Sequence, residues 1–378
     1  MNFSFTKEQL EIREKARTFA HEYVKEGAQE RDRTEEFPMH LIKKLGEEGL
    51  IGVQFPTAYG GHGMDFLSFV LIVEELCKVD SAFGISYAIS STFTTGLFSF
   101  GTESQKKEVL PRLFLGDALG CFALTEPDVG SDAGAVKTTA VLEGDEYVIN
   151  GKKRYITNGP LAEYAMVVAS TDPSQGARGL SAFLVKLKED KGVSIGHIEN
   201  KCGINSAKVS EILFENVRIP KDRLIGEHGR GLNYALSALN AGRLGVAAQG
   251  LALAEAAFEH CREHIMKREQ FGKPIYKNQY ISFRMADLSC EIDMARLLLY
   301  KAVWKQQNGE NFSVDAAKAK LCCTNTAMHV TTECVQMMGG AGYMRENDVE
   351  RMFRDAKITQ IYEGTNEIQR LIITKSLF

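Results

Sequence analysis

The hydrophobic period of this 378-residue chain changes twice, and that alone restricts it to a fold with helices at both ends and strands between. Up to about residue 118 the pattern is helical, with Leu10, Ile12, Ala16, Phe19, Ala20 and Val24 recurring on one face. Thr6 and Gln9 have capping-box spacing, and Phe5 and Leu10 stand at the staple positions on either side of the cap. Pro38 opens a further helix through Leu41, Ile42 and Leu45, and Pro56 to Gly63 is dense in turn formers. Leu67 to Cys77 and Ala82 to Phe100 predict two more helices, the second stopped at Gly101.

From about 119 to 225 short β-branched runs take over. Gly144-Asp145 and Asn150-Gly151 both suit turns between strands, and Tyr164 to Thr171, Leu180 to Leu187 and Ser210 to Pro220 read as further strands. No long helix separates these runs, which favours an antiparallel sheet or barrel over a Rossmann sheet. After Gly226 the helical period returns over Leu232 to Met266, Asn278 to Gln306 and Val314 to Met338, each long enough for a bundle. The expectation is an α+β chain: an N-terminal helical domain at 1–118, a middle antiparallel β-barrel or sandwich at 119–226, and a C-terminal four-helix bundle at 227–378.

Composition narrows the function classes. A formal charge of −4 leaves no general basic field, so nucleic acid is not an expected partner. The eight cysteines form no CxxC pair and show no ligand spacing with histidine, which predicts buried thiols in a reducing compartment and no metal. No apolar run approaches the roughly 18 residues of a membrane span. Met1 leads straight into helical sequence without a signal-like stretch, so cytoplasmic residence is expected, or a mitochondrial matrix after loss of a leader.

One carboxylate stands out. In Ile358 to Arg370, ITQIYEGTNEIQR, Glu363 has Ile358, Ile361, Tyr362 and Ile368 to shield it from water, and Gly364 allows close approach to the backbone. Desolvation would raise its pKa, as a general base for a weak carbon acid requires. The plain alternative is a carboxylate answering the dipole of the closing helix.

Other stretches carry polar groups in fixed order. LTEPDVGSDAG, Leu124 to Gly134, offers the hydroxyls of Thr125 and Ser131, and KRYITNG, Lys153 to Gly159, adds Thr157 beside the Tyr155 ring. REQFGKPI begins with Arg268, and QMMGGAGY, Gln336 to Tyr343, makes a glycine bend. Each alone reads as a turn, a solvated charge or a helix end. Together with YEGTNEIQR, and over essentially the whole chain, they resemble the acyl-CoA dehydrogenase family, flavoproteins that introduce α,β double bonds into acyl-CoA thioesters.

The resemblance implies roles residue by residue. Glu363 matches the family's catalytic base. Phe122, Leu124, Thr125, Gly130, Ser131, Tyr155, Ile156 and Thr157 would contact FAD. Arg268, Phe271, Gln279, Gln336, Gly339 and Gly340 would reach FAD across a subunit interface of a homotetramer, and Thr365, Asn366 and Glu367 would complete that site. Ser131, Tyr87, Ser90, Asn240, Arg243, Tyr362 and Gly364 would contact the acyl-CoA. The family commonly has Trp at the position of Tyr155, and its short-chain members often have Asp at that of Asn240.

The family's pocket floor corresponds to Gly84 to Phe93, where Tyr87 takes up volume and no Arg stands. This predicts a short acyl group, branched or cyclic ones included, and argues against a dicarboxylic one, for which a bidentate cation is expected. Electrons would pass to an electron-transfer flavoprotein. The competing readings are an enoyl-CoA reductase using the same step in reverse, an acyl-CoA oxidase, and a catalytically idle CoA-binding scaffold on the same fold.

Overall fold

The computed structural model describes residues 4–378. Six helices come first: α1 (Lys7–Phe19), continued by a π-turn at Ala20–Val24, then α2 (Ala28–Thr34), α3 (Met39–Glu47), α4 (Phe66–Val79), α5 (Ser81–Phe100) and α6 (Glu103–Phe114). The capping box of α1 forms as read, Gln9 N donating to Thr6 Oγ1 at 3.2 Å and Thr6 N to Gln9 Oε1 at 2.9 Å. The staple does not. Leu10 is 50% exposed, and Phe5 instead meets the edge of Tyr300 at 5.8 Å, because a ring on the bundle offers more contact than a neighbouring turn. Asp80 caps α5 through Ala82 N and Phe83 N, and Arg31 closes on the same carboxylate at 2.9 Å. Both α4 and α5 are buried on nearly every face, which places them at the centre of the molecule.

The middle of the chain makes β1 (Gly120–Ala123), β2 (Thr139–Glu143), β3 (Glu146–Thr157), β4 (Tyr164–Ser170), β5 (Leu180–Lys186), β6 (Val193–Ile198), β7 (Val209–Pro220) and β8 (Leu224–Ile225). They form one sheet in the order β6-β7-β3-β2-β4-β5-β8, with β1 beside β4. Most pairs are antiparallel as expected, but β1 runs parallel to β4, and Thr139 of β2 pairs in parallel with Ser170, so the sheet is mixed. The chain enters β1 from α6 and returns to β4 only after the β2–β3 hairpin, which brings it back in the same direction.

Gly144-Asp145 is the turn of that hairpin. Asn150-Gly151 is not a turn. It lies inside the twelve-residue β3 at a register shift between Ile149 and Gly151, where the Asn150 side chain bonds Asn216 of β7. Pairing with β7 on the far side converts the turn dipeptide into a bulge.

The rest is helical apart from a ribbon, β9 (Glu269–Gln270) with β10 (Lys273–Pro274). The helices are α7 (Gly231–Lys267), α8 (Gln279–Gln307), α9 (Ser313–Met338), the single turn α10 (Gly340–Tyr343), α11 (Asp348–Thr359) and α12 (Asn366–Thr374). Helix α7 is the axis: its Ala- and Gly-rich faces pack on α9, α8 and α11 of the bundle and on α4 and α5 of the first unit. Its contact with α5 is where the functional groups gather. All eight cysteines are free thiols. Among the described residues no helix is long and apolar enough to cross a membrane.

Candidate active site

Helix α11 ends at Thr359, and six residues later Thr365 caps α12, its hydroxyl accepting from Ile368 N at 3.3 Å. The turn between them contains two left-handed residues in succession, Glu363 at φ 53° and Gly364 at φ 87°. A glutamate costs of order 1–2 kcal/mol in that conformation, so the surroundings must impose it. They do so from below: Lys320 Nζ and Gln369 Nε2 both donate to Gly364 O, at 3.0 and 2.8 Å. The Tyr362 hydroxyl donates to Gln249 Oε1, and Gln249 Nε2 donates on to Ser81 Oγ at 2.8 Å, tying the turn to α7 and α5.

The carboxylate points inward. Glu363 as a residue is half-buried, but its Oε2 is sealed from solvent and has no hydrogen-bond partner. Burial pushes its pKa up to about 7, with Arg243 and Lys320 pulling the other way. Arg243, itself buried, donates through Nη1 to Asn240 Oδ1 and leaves Nε unpaired. A buried acceptor and a buried donor left over in one place are the mark of a site completed by a ligand. The Glu363 N–H is a further donor that no acceptor takes up among the described residues.

The β unit supplies a second surface. Tyr155 sits at φ 59° and is 56% exposed, with the Arg154 guanidinium 4.8 Å from its ring centroid. Thr125 and Thr157 are half-buried, with hydroxyls that bond to nothing among the described residues, and Phe122 is half-buried. Leu124 and Ile156 are buried beneath them, while Gly130 and Ser131 are exposed on the loop after β1. An aromatic face beside two free hydroxyls fits a flavin ring.

That loop is held by an ion pair which sequence reasoning passed over. Lys153 Nζ, fully buried, donates to Leu124 O at 2.9 Å and Glu126 Oε1 at 2.8 Å, and the Glu126 carboxylate also takes Lys137 N and Thr138 N at 2.7 and 2.9 Å. Burial raises the Glu126 pKa, but Lys153 and these hydrogen bonds outweigh it and hold it below the ordinary carboxylate value. Burial likewise draws Lys153 down to about 8, against the pull of Glu126. Each partner lies within a motif singled out above, but only as a neighbour of the hydroxyls.

The remaining expected residues divide. Arg268, Phe271, Gln279, Gln336, Gly339 and Gly340 are all exposed around the ends of α7, α8 and α9, Phe271 at 95%. Glu367 is exposed, whereas Asn366 is buried, accepting from Lys320 at 2.9 Å and donating to Thr324 and Asn325 at 3.0 Å each. Tyr87 is buried, its hydroxyl donating to Leu50 O at 3.0 Å and its ring 5.6 Å from Phe69. The Ser90 hydroxyl accepts from Gly120 N at 3.1 Å, joining α5 to β1. Lys320 beside Glu363 was also missed, a lysine on the apolar face of a helix being the one signal for it, whereas Thr92 lies within the pocket-floor stretch Gly84 to Phe93 and Gly242 between Asn240 and Arg243.

Residues 6–117, 121–217 and 229–378 match in turn the N-terminal, middle and C-terminal domains described for acyl-CoA dehydrogenases. The chain belongs to the acyl-CoA dehydrogenase family. Acyl-CoA dehydrogenases are FAD-dependent oxidoreductases, and relatives span its whole length. It is 45% identical to a short-chain specific acyl-CoA dehydrogenase of Clostridium acetobutylicum over 100% of both chains. It is 41% identical to an acryloyl-CoA reductase (NADH) of Anaerotignum propionicum, over 100% of this chain and 96% of that one. Butyryl-CoA dehydrogenase from Megasphaera elsdenii superposes with a TM-score of 0.98 at 42% identity, covering 100% of both chains. A chain from structural work on the electron transferring flavoprotein of Acidaminococcus fermentans and flavin-based electron bifurcation gives 0.99 at 43%, again over 100% of each.

Proposed function

We propose that this acyl-CoA dehydrogenase removes hydrogen from Cα and Cβ of a short acyl-CoA, branched and cyclic groups included, to give the 2-enoyl-CoA. The observation that carries the reading is the Glu363 carboxylate, whose Oε2 is sealed from water and unpartnered and whose pKa is raised to about 7. FAD, when bound, supplies the acceptor for the β-hydrogen as hydride. Everything else falls to the chain. Glu363 takes the α-proton, and its raised pKa makes it a stronger base than an exposed carboxylate while leaving part of it ionised at neutral pH. The unspent Glu363 N–H would stabilise charge growing on the thioester carbonyl.

Thr125, Thr157 and Tyr155 would hold the flavin, Ser131 and Asn240 the CoA moiety, and Arg243 the charge balance around Glu363. The exposure of Arg268, Phe271, Gln279, Gln336, Gly339 and Gly340 supports their reaching a neighbouring subunit's cofactor in a homotetramer. An electron-transfer flavoprotein would carry the electrons away, and the free thiols suit a reducing, cytoplasmic setting.

The test is Glu363→Gln in the yellow holoenzyme, mixed anaerobically with butyryl-CoA. Binding of FAD and acyl-CoA persists, and flavin bleaching slows by roughly a thousandfold or more. Near-native bleaching would remove the assignment. Likeness to the acryloyl-CoA reductase favours a second reading, saturation of an enoyl-CoA through the same atoms. Faster oxidation of the reduced enzyme by acryloyl- or crotonyl-CoA than reduction of the oxidised enzyme by the saturated thioesters would select it.

A further inference from the structure

Behind the Glu363 turn lies a lysine that no role described so far requires. Lys320, on α9, is fully buried, and its ammonium makes two hydrogen bonds, to Gly364 O at 3.0 Å and Asn366 Oδ1 at 2.9 Å. From Asn366 the network runs to Thr324 and to Asn325, which also receives Gln360 Nε2 at 2.9 Å. Gln360 and Asn366 bracket the turn, so Lys320 stands at the hub of contacts holding both of its ends to α9.

Neither acceptor is charged. Burying an ammonium is costly and is normally compensated by a carboxylate in direct contact, as Glu126 does for Lys153. Lys320 has no such ion pair among the described residues. The charges that act on it are Glu363, Arg243 of α7 and Glu367 at the head of α12, while those acting on Glu363 are Arg243 and Lys320. Arg243 is held through Nη1 by Asn240 Oδ1, and its buried Nε is unpaired. Lys320 is pinned by its two bonds, and burial draws its pKa down to about 7, so its charge acts on the carboxylate only while the ammonium keeps its proton.

We infer that Lys320 is a positioning residue for the base: it clamps the left-handed Glu363–Gly364 turn through the Gly364 carbonyl and, in its protonated form, sets a buried positive charge behind the carboxylate. The inference rests on Glu363 being the base. A clamp that was merely structural would need a hydrogen-bond donor but no charge.

The experiment compares the holoenzyme with Lys320→Met, Asn366→Asp and Gln369→Leu. Two quantities are followed from pH 5.5 to 9.5: the limiting rate of flavin reduction by butyryl-CoA, and the Glu363 carboxyl stretch in the infrared, identified by its loss in Glu363→Gln. Lys320→Met removes the charge and Asn366→Asp offsets it without changing volume. Both move the Glu363 midpoint to higher pH, and the rate at pH 6 falls more than tenfold, with recovery at alkaline pH. Gln369→Leu loosens the same carbonyl without touching a charge, so its rate falls equally at every pH and its midpoint stays in place.

Should Lys320→Met fail to fold, the isosteric Asn366→Asp carries the same prediction. An unmoved carboxyl midpoint in the charge-altering variants overturns the inference, as does a rate loss uniform across pH. Failure of the base assignment would look different, as bleaching by Glu363→Gln at near-native rate.

Discussion

A methyl group at Gly242 would lie 2.8 Å from Glu363 Oε2 and 2.9 Å from Thr92 Oγ1. Helix α7 therefore meets the buried carboxylate oxygen across a gap that no side chain can enter, and the lack of one at this position decides where the carboxylate sits.

Gly242→Ala tests this contact. Overpacking costs about 1–3 kcal/mol, of which better helix propensity returns about 1. Stability should change little, but the carboxylate must move by a good part of an ångström, which lowers the rate of flavin reduction by roughly 10- to 100-fold. Thermal unfolding and stopped-flow reduction measured side by side should show the second effect without the first.

Glu363 is expected to trade stability for reactivity. Its pKa is raised from 4.5 unfolded to about 7 folded, so the folded state binds the proton more tightly. That contribution is fully present below pH 4.5 and is lost as pH rises through 7. Glu363→Gln, neutral throughout, should therefore be more stable than the parent above pH 7 by about 3 kcal/mol, with no gain at pH 4.5. Denaturant unfolding at two pH values checks the sign; equal stabilities at pH 8 would mean the carboxylate is solvated.

Lys153→Met strips one partner from a buried pair and leaves Glu126 uncompensated, which should cost about 3–5 kcal/mol. The loop from Leu124 to Thr138 loses its anchor on β3, so FAD should dissociate at least tenfold more readily. Adding Glu126→Gln should restore part of the stability, because the unpaired charge is then gone. FAD fluorescence on release and urea midpoints report the two effects.

Acyl length is tested at Tyr87. The parent should turn over butyryl-CoA roughly tenfold or more faster than octanoyl-CoA, and Tyr87→Ala should narrow that ratio. Because Tyr87 packs on Phe69 and bonds Leu50, the variant also loses about 3–5 kcal/mol. A stability loss with an unchanged ratio would show that Tyr87 only fills the core.

Features set by near neighbours were legible before folding. The Thr6–Gln9 capping box and the Gly144-Asp145 hairpin depend on atoms a few residues apart, and both form as read. Asn150-Gly151 has equally strong turn chemistry, yet β7 pairs along its outer edge and the strand runs through. Leu10 occupies a staple position, yet Phe5 found Tyr300 instead. The parallel β1–β4 pair depends on where α6 delivers the chain, which strand composition does not encode.

The sequence by itself determined the helix–strand–helix order, the family motifs and the identity of the acid at 363. Folding decided what that acid can do. Its proton affinity is set by the removal of water and by Arg243 and Lys320, groups far from it in the chain, and its position by a vacancy on α7. Electric fields and excluded volume act through space, so residue spacing along the chain can name the participants without fixing their energies.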